Sequence, residues 1–185
     1  MKSIFLILVA GLMATAGAAR AETLALDRAH SKVEVAVRAT VDSFVATLAD
    51  YDAALTTTAD GGQIAGAAFH FKFADLKTGK AERDRQMNEW QETTTYPDGE
   101  FTLAALEPLG DGRFTARGAL RLHGVSKPLA FPVTITSDRT LFAVSGEAPL
   151  DTREFGLSPI RKFAVLKVNP VVTVKFHLQA ARAAR

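Results

Sequence analysis

Apolar and polar residues alternate over positions 112–136, with one interruption, and this pattern limits the folds open to the chain. In the first half of this stretch, Phe114 and Leu120 share one parity, while arginines occupy the other. Successive side chains of a strand point to opposite faces, so the pattern predicts a strand with one buried and one solvated face. The alternation stops at 123–128 and then resumes, which predicts an antiparallel hairpin with a turn of about five or six residues. Because Pro128 lacks an amide proton, we expect it at the start of the second strand.

Similar alternation recurs along most of the remaining chain. Residues 80–92 depart from it, and their good helix formers predict a single helix. Met87 and Trp90 give this helix only a narrow apolar stripe, so it can close one end of a β-structure but cannot support a helical domain. Residues 157–168, with an apolar cluster, predict a loop with a short irregular piece. Further strands are predicted at 23–27, 31–39, 44–57 (with a bulge or bend near Ala49), 64–73, 101–105, 141–150 and 171–179.

This pattern predicts an all-β fold, an antiparallel barrel of about eight strands with the helix at 80–92 near one end. A sandwich of two sheets remains an alternative, because periodicity does not register whether a sheet closes. A barrel of this size is either packed solid or holds one small ligand. Twelve phenylalanines against one tryptophan and two tyrosines suit an interior that offers no hydrogen-bond partners.

The first 21 residues predict a secretory signal peptide. Lys2 precedes an apolar run at 4–14 that is too short to span a bilayer, and Ala19-Arg20-Ala21 is a suitable cleavage site. Cleavage near Ala21 would leave equal numbers of basic and acidic residues, so nothing favours a nucleic acid as partner. We expect an exported, soluble chain with one domain at 22–180 and a disordered tail at 181–185. The absence of cysteine excludes disulfides, cysteine-ligated metal and thiol catalysis.

Five stretches in order resemble the YceI family of exported, lipocalin-like proteins. The resemblance covers nearly the whole chain after the predicted signal peptide. It is carried by an Asp-x-x-His-Ser turn at 27–31; by Gly79, Arg83 and Asp84 at a helix entry; by Tyr96-Pro97 followed by Phe101; by a Gly-x-Leu-x-x-x-Gly-Val-Ser-Lys run at 118–127; and by Arg153-x-Phe155-Gly156.

The resemblance implies a periplasmic barrel whose long apolar cavity binds, shields or transports a polyisoprenoid, such as a quinone or a polyprenyl phosphate. It implies no enzyme activity and no cofactor. Arg83, Asp84 and Arg153 are candidates for contact with a lipid head group. The expected cavity lining, from shared parity and from the resemblance, is Phe69, Phe71, Phe73, Met87, Trp90, Phe101, Leu103, Phe114, Leu120, Leu122, Phe131, Val133, Phe155, Val172, Val174 and Phe176.

The helix is where the chain departs from the family pattern. Lys80 replaces an asparagine, Gln86-Met87 replaces a His-Leu pair, and Glu89-Trp90-Gln91-Glu92 replaces Asp-Phe-Phe-Asp. These residues belong to the element that closes the barrel, so we expect a mouth of different shape.

Each candidate has a structural alternative. Arg83-Asp84 could form an ion pair at the helix start, and Arg153 could bridge to a neighbouring carboxylate. The segment 123–127 is interpreted as a turn rather than a reactive centre. The four histidines lack the spacing of a metal site, so we expect no metal. No Gly-x-Ser-x-Gly elbow indicates a hydrolase.

Two other interpretations of function remain. The chain could be an accessory partner of a membrane redox system of the cytochrome b type, without catalysis of its own; Trp90 and the loop at 157–168 motivate this alternative. An enzyme acting on lipids or quinones has no support in the sequence. A homodimer is left open.

Overall fold

The computed structural model describes residues 21–138, 140–162 and 166–182. Short 3-10 turns follow β4 and β9, at Phe73–Asp75 and Thr152–Phe155. The other elements in the described residues are β1 (Thr23–Val37), β2 (Phe44–Leu48), β3 (Asp52–Thr57), β4 (Ile64–Lys72), β5 (Leu76–Lys77), α1 (Ala81–Trp90), β6 (Asp98–Gly110), β7 (Arg113–Leu122), β8 (Val125–Ser137), β9 (Leu141–Asp151), β10 (Arg161–Lys162), β11 (Leu166–Lys167) and β12 (Val171–Ala181).

The sheet closes on itself. Its strands run in the order β12, β9, β8, β7, β6, β4, β3 and β1, and β1 pairs with β12 again to complete the ring. Every pairing is antiparallel. The predicted antiparallel barrel of about eight strands with one helix is therefore confirmed, and the sandwich is excluded because one continuous sheet forms the wall.

One position of the wall is shared by two short strands. β2 pairs with the C-terminal part of β1, from Glu34 to Val37, and β3 pairs with its beginning at Thr23 and Leu24. The bend predicted near Ala49 is this break between β2 and β3. β5 then pairs with the free edge of β2.

The two strands predicted at the start of the chain form one continuous strand with an irregularity. The register of β1 against β12 shifts between Asp27 and Lys32. Within this bulge, the Asp27 carboxylate accepts hydrogen bonds from the Ala29 amide at 3.0 Å and pairs with His30 Nδ1 at 2.7 Å. The hydrogen bond with His30 lowers the pKa of Asp27. The Asp-x-x-His-Ser motif thus bends β1 without interrupting it.

The predicted turn of the main hairpin was too long. Only His123 and Gly124 separate β7 from β8, and both have positive φ, 47° and 72°. Two positive φ values give the turn that matches the twist of paired strands. Pro128 lies within β8, opposite Ala119, and not at its start. β9 pairs with β8 only from Val133 onward, so the edge of β8 that would need the missing amide proton is open at Pro128.

The helix is shorter than predicted and lies on the surface of the fold. α1 covers Ala81–Trp90 and buries none of its residues. Its N-cap residue, Lys80, makes no side-chain cap bond. The Asp84 carboxylate instead accepts from the Thr78 amide at 2.8 Å and the Thr78 hydroxyl at 2.6 Å, which ties the first turn to the preceding loop.

The C-terminal segment is ordered further than predicted. β12 extends to Ala181, and the Arg182 amide donates to the Thr140 carbonyl oxygen at 3.0 Å. Disorder therefore does not begin at 181 as expected. Residues 183–185, the predicted signal peptide up to residue 20, and most of the apolar cluster at 163–166 lie outside the described residues. No helix within the described residues is long and apolar enough to cross a membrane.

Candidate functional site: an apolar cavity inside the barrel

The interior of the barrel is hollow. A cavity of about 1030 Å³ runs through it, bounded by the inward residues of nearly every wall strand and by α1. Small-molecule sites in proteins have volumes of roughly 300–1,000 Å³, so this cavity is at the upper end of that range. The solid core, which the sequence left as an alternative, is not observed.

Thirteen of the predicted lining residues border the cavity. They come from β4, β6, β7, β8 and β12, together with the helix and the 3-10 turn after β4. These residues are Phe69, Phe71, Phe73, Met87, Trp90, Phe101, Leu103, Leu120, Leu122, Phe131, Val172, Val174 and Phe176.

Three predicted lining residues lie elsewhere. Phe114 and Val133 pack in the cluster that fills one part of the barrel around Phe142, which is 1% exposed. Phe155 is also 1% exposed, and it packs beside Leu120 and Leu122. None of the three borders the cavity. Parity assigns a side chain to the inner face, but it does not show how deep the cavity extends along that strand.

The sequence prediction also left out several lining residues. Val33, Val35 and Val37 project from β1, with the regular alternation that the sequence already showed. Ala148 and Leu150 on β9 line the cavity too, from a strand of less regular pattern. Leu157, Pro159 and Ile160 complete the wall from the loop after β9, where no periodicity could have predicted them.

Phenylalanine rings form two contacting groups in the wall. Phe69 and Phe71 on β4 and Phe73 in the 3-10 turn after it follow one another, with ring centroids 6.0 and 5.2 Å apart. Phe101, Phe131 and Phe176 meet across strands at 5.4 and 5.9 Å. Tilted and edge-to-face contacts at these distances fix each ring against its neighbour. The wall is thus both apolar and held by ring-to-ring packing.

Among the residues that the structure describes, polar groups line one end of the cavity. The polar lining residues belong to the loop at 42, to α1 and the residue on either side of it, and to the segment 152–169. Several of them are solvent-exposed, whereas the cluster around Leu55, Ile64 and Phe142 is buried. We call the end formed by these three segments the mouth. The cavity is therefore amphiphilic, with a long apolar body and a polar opening.

Arg83 lies at the mouth and is already paired. Its Nη2 is 2.7 Å from Asp42 Oδ2, and its guanidinium carbon is 4.2 Å from the centre of the Phe44 ring. Lys80 Nζ is 3.3 Å from the same carboxylate oxygen. Lys80 and, after it, Arg83 lower the pKa of Asp42. One carboxylate thus neutralises much of the positive charge on this side of the mouth.

The other two head-group candidates do not face the cavity. Asp84 is bonded to Thr78 and is absent from the lining. Arg153 binds Asp151 through Nε at 2.9 Å and Nη2 at 2.5 Å. This pairing lowers the pKa of Asp151 and raises that of Arg153. Arg153 borders a second, smaller pocket.

The helix is bonded across the mouth to the loop after β9. Trp90 Nε1 donates to the Ser158 carbonyl oxygen at 2.7 Å, while the indole borders the cavity. Next to it, Gln91 is 8% exposed and also lines the cavity, and its Oε1 has no hydrogen-bond partner among the described residues. In the described part of the chain, no three His, Asp or Glu side chains come together as metal ligands.

A closed antiparallel barrel around an apolar cavity, with one helix at its mouth, defines the class of lipocalin-like barrels. The chain belongs to the YceI-like domain family, whose sequence model matches residues 24–180. A UPF0312 protein of Pseudomonas savastanoi pv. phaseolicola is 25% identical over 169 residues, covering 84% of this chain and 87% of that protein.

Two solved structures share the fold. BcnA of Burkholderia cenocepacia superposes with a TM-score of 0.75 at 21% identity, over 84% of this chain and 99% of that one. A polyisoprenoid binding domain from Saccharophagus degradans, implicated in plant cell wall breakdown, gives a TM-score of 0.68 at 19% identity. That match covers 89% of this chain and all of the other.

Proposed function

We propose that this protein binds a polyisoprenoid lipid and shields its apolar chain from water during transport in the periplasm. The observation that carries the proposal is the amphiphilic cavity of about 1030 Å³, with phenylalanine rings along its body and polar groups only at its mouth. The polyisoprenoid binding domain among the structural relatives supports the same class of ligand. The predicted signal peptide at 1–21 supports the location.

The physical basis of binding is burial of apolar area. Each methylene removed from water contributes about 0.8 kcal/mol, and fixing a flexible chain offsets part of this gain. A polyisoprenoid needs no hydrogen bonds along its tail, which matches a wall of phenylalanine, leucine and valine. Its polar head remains at the mouth, where hydrogen-bonding groups and water are available. Shielding needs no chemical step, so we propose a binding protein without catalysis.

The proposal is tested with delipidated protein and a series of isoprenoid alcohols. Geraniol, farnesol and geranylgeraniol share a head group and differ in chain length, so calorimetric titration isolates the contribution of the chain. We expect the affinity to rise about tenfold with each added isoprene unit. Emission of the single tryptophan, Trp90, should change at saturation because its indole borders the cavity.

An independent test is to purify the protein from its host without removing lipid, extract the bound lipids and identify them by mass spectrometry. A long-chain isoprenoid in the extract supports the proposal. Affinity that does not depend on chain length, with no lipid in the extract, contradicts it.

An accessory role beside a membrane redox protein stays a prediction. One feature behind it, Trp90, borders the cavity and bonds Ser158, so it is partly engaged within the fold. The other, the loop at 157–168, contributes Leu157, Pro159 and Ile160 to the cavity wall, and its residues 163–165 lie outside the described residues.

A further inference from the structure

A second pocket of about 420 Å³ adjoins the mouth of the cavity. The two spaces share part of their walls: Ala39, Val168 and Pro170 border both, as do Pro159 and Asn169. A group placed in the second pocket would therefore lie close to the head of a lipid whose tail occupies the barrel.

The charged residues of this pocket all have the same sign. Arg38, Arg153 and Lys167 line it, and among the described residues no acidic side chain does. Arg153 is neutralised by Asp151. Arg38 and Lys167 have no ion-pair partner within the described part of the chain. Two uncompensated cations in one concave site repel each other and attract an anion.

Backbone hydrogen bonds join the two segments that carry Arg38 and Lys167. The Thr40 amide donates to the Lys167 carbonyl oxygen at 3.0 Å, and the Asn169 amide donates to the Arg38 carbonyl oxygen at 2.8 Å. Ala39 and Val168 form an antiparallel bridge between these bonds. The Lys167 amide also donates to the Thr40 hydroxyl at 3.1 Å. These bonds fix the backbone of Arg38 and Lys167 in the wall of the second pocket.

The mouth of the cavity differs from the second pocket, because its cations have an ion-pair partner. Its cations, Lys80 and Arg83, share the carboxylate of Asp42. An anionic head group would meet two cations there that share Asp42 and lie beside Glu82 and Glu89, whereas Arg38 and Lys167 in the neighbouring pocket have no ion-pair partner among the described residues. Arginine and lysine together suit phosphate, which presents several acceptor oxygens.

We infer that the pocket lined by Arg38, Arg153 and Lys167 is a binding site for the phosphate group of a lipid. The inference rests on the proposed function, because it is the cavity that places a lipid beside this pocket. The phosphate can belong to the cargo itself, as in a prenyl phosphate, or to a phospholipid of a membrane surface.

The test compares geranylgeranyl monophosphate with geranylgeraniol by calorimetric titration of the delipidated full chain at low salt. The two ligands share a tail and differ only in the phosphate. The variant R38Q/K167Q removes the two uncompensated cations. The control R113Q/K127Q removes the same charge from exposed residues of β7 and β8 that border neither space. Binding is also measured to vesicles with and without phosphatidylglycerol, and to inorganic phosphate alone.

We expect wild type and the control to bind the phosphate more tightly than the alcohol. In R38Q/K167Q this advantage should fall about tenfold, with binding of the alcohol unchanged. If the advantage is absent but binding to phosphatidylglycerol vesicles depends on Arg38 and Lys167, the source is the membrane, and the site stands. If inorganic phosphate alone binds as tightly as either lipid, the assignment of the pocket to a lipid phosphate is overturned.

Failure of the site and failure of the proposed function give different results. If the alcohol binds, but neither the phosphate ligand nor the vesicles respond to R38Q/K167Q, the phosphate site is overturned and the proposed function stands. If wild type binds neither isoprenoid, both are overturned.

Discussion

At the scale of single residues, the small side chains of the wall determine how closely the strands approach. Gly118 on β7 is the clearest case. A Cβ atom at this position would overlap the carbonyl oxygen of Thr102 on β6 and the ring of Phe101. Glycine at 118 therefore leaves the space that the Phe101 ring and the neighbouring strand occupy.

We predict that Gly118→Ala destabilises the protein by about 1–3 kcal/mol, because the ring or the backbone must move. Gly62→Ala is the matched control, since its Cβ would meet only ordinary contacts and its φ is not positive. The measurement is urea unfolding of both variants beside wild type. Equal stability of the two variants would contradict the role assigned to Gly118.

Asp42 gives a second prediction at this scale. Its folded pKa lies below the unfolded value of about 3.9, because Lys80 and Arg83 favour the charged form. A lowered folded pKa means stabilisation that is present above the unfolded pKa and lost as pH falls through the folded one.

The free energy of unfolding of wild type should therefore exceed that of Asp42→Asn at neutral pH by a constant amount. The difference should shrink below about pH 4 and vanish in stronger acid. Chemical unfolding across this range measures it. A difference that does not change with pH would show that the carboxylate charge has no part in holding the mouth.

At the scale of elements, α1 is attached to the barrel mainly by polar bonds. It buries none of its residues fully, and its contacts include the ion pair of Arg83 with Asp42, the bond from Trp90 to Ser158 and the half-buried side chain of Met87. An element with few buried contacts opens at lower free energy than the strands around it. We therefore expect this helix to open more readily than the strands of the barrel.

Trp90→Phe keeps a ring at the cavity but removes the N–H donor. We expect hydrogen exchange of the α1 amides to rise about fivefold, equivalent to the loss of one net hydrogen bond of about 1 kcal/mol. The amides of β8 serve as the internal control and should exchange as in wild type. Unchanged exchange in α1 would mean that Trp90 does not hold the helix.

The same elements show what sequence reasoning could and could not predict. Alternation placed Phe101 and Leu120 on the inner face, because strand geometry has a fixed period of two. The same alternation could not show that Val133 lies where the interior is packed and not where it is hollow. The turn at His123-Gly124 was predicted too long, because the polar run after it continues as strand. The pair between Arg83 and Asp42 joins residues 41 positions apart, and no local pattern records such a contact.

At the scale of the whole molecule, the barrel wall supplies stability, and the cavity interrupts the core that would otherwise fill it. Packed clusters around Phe142 and around Phe155 border the hollow region. An enlarged side chain should therefore be tolerated where it enters the hollow and resisted where the core is solid.

Ala148 and Ala180 test this contrast. Both are buried, at 4% and 1% exposure, but only Ala148 borders the cavity. Ala148→Phe should abolish isoprenoid binding with little loss of stability, whereas Ala180→Phe should cost about 1–3 kcal/mol through overpacking. Thermal unfolding and lipid titration of both variants measure the two effects. A larger loss of stability in Ala148→Phe would contradict a hollow interior at that position.

The central claim is that the inward phenylalanines surround a space that a lipid chain occupies. The most direct measurement is a crystal structure of the protein saturated with geranylgeraniol. We expect continuous density for the chain between Phe69 and Phe131, with the hydroxyl at the mouth beside α1. A barrel in which these rings interdigitate, with the alcohol outside the wall, would contradict it.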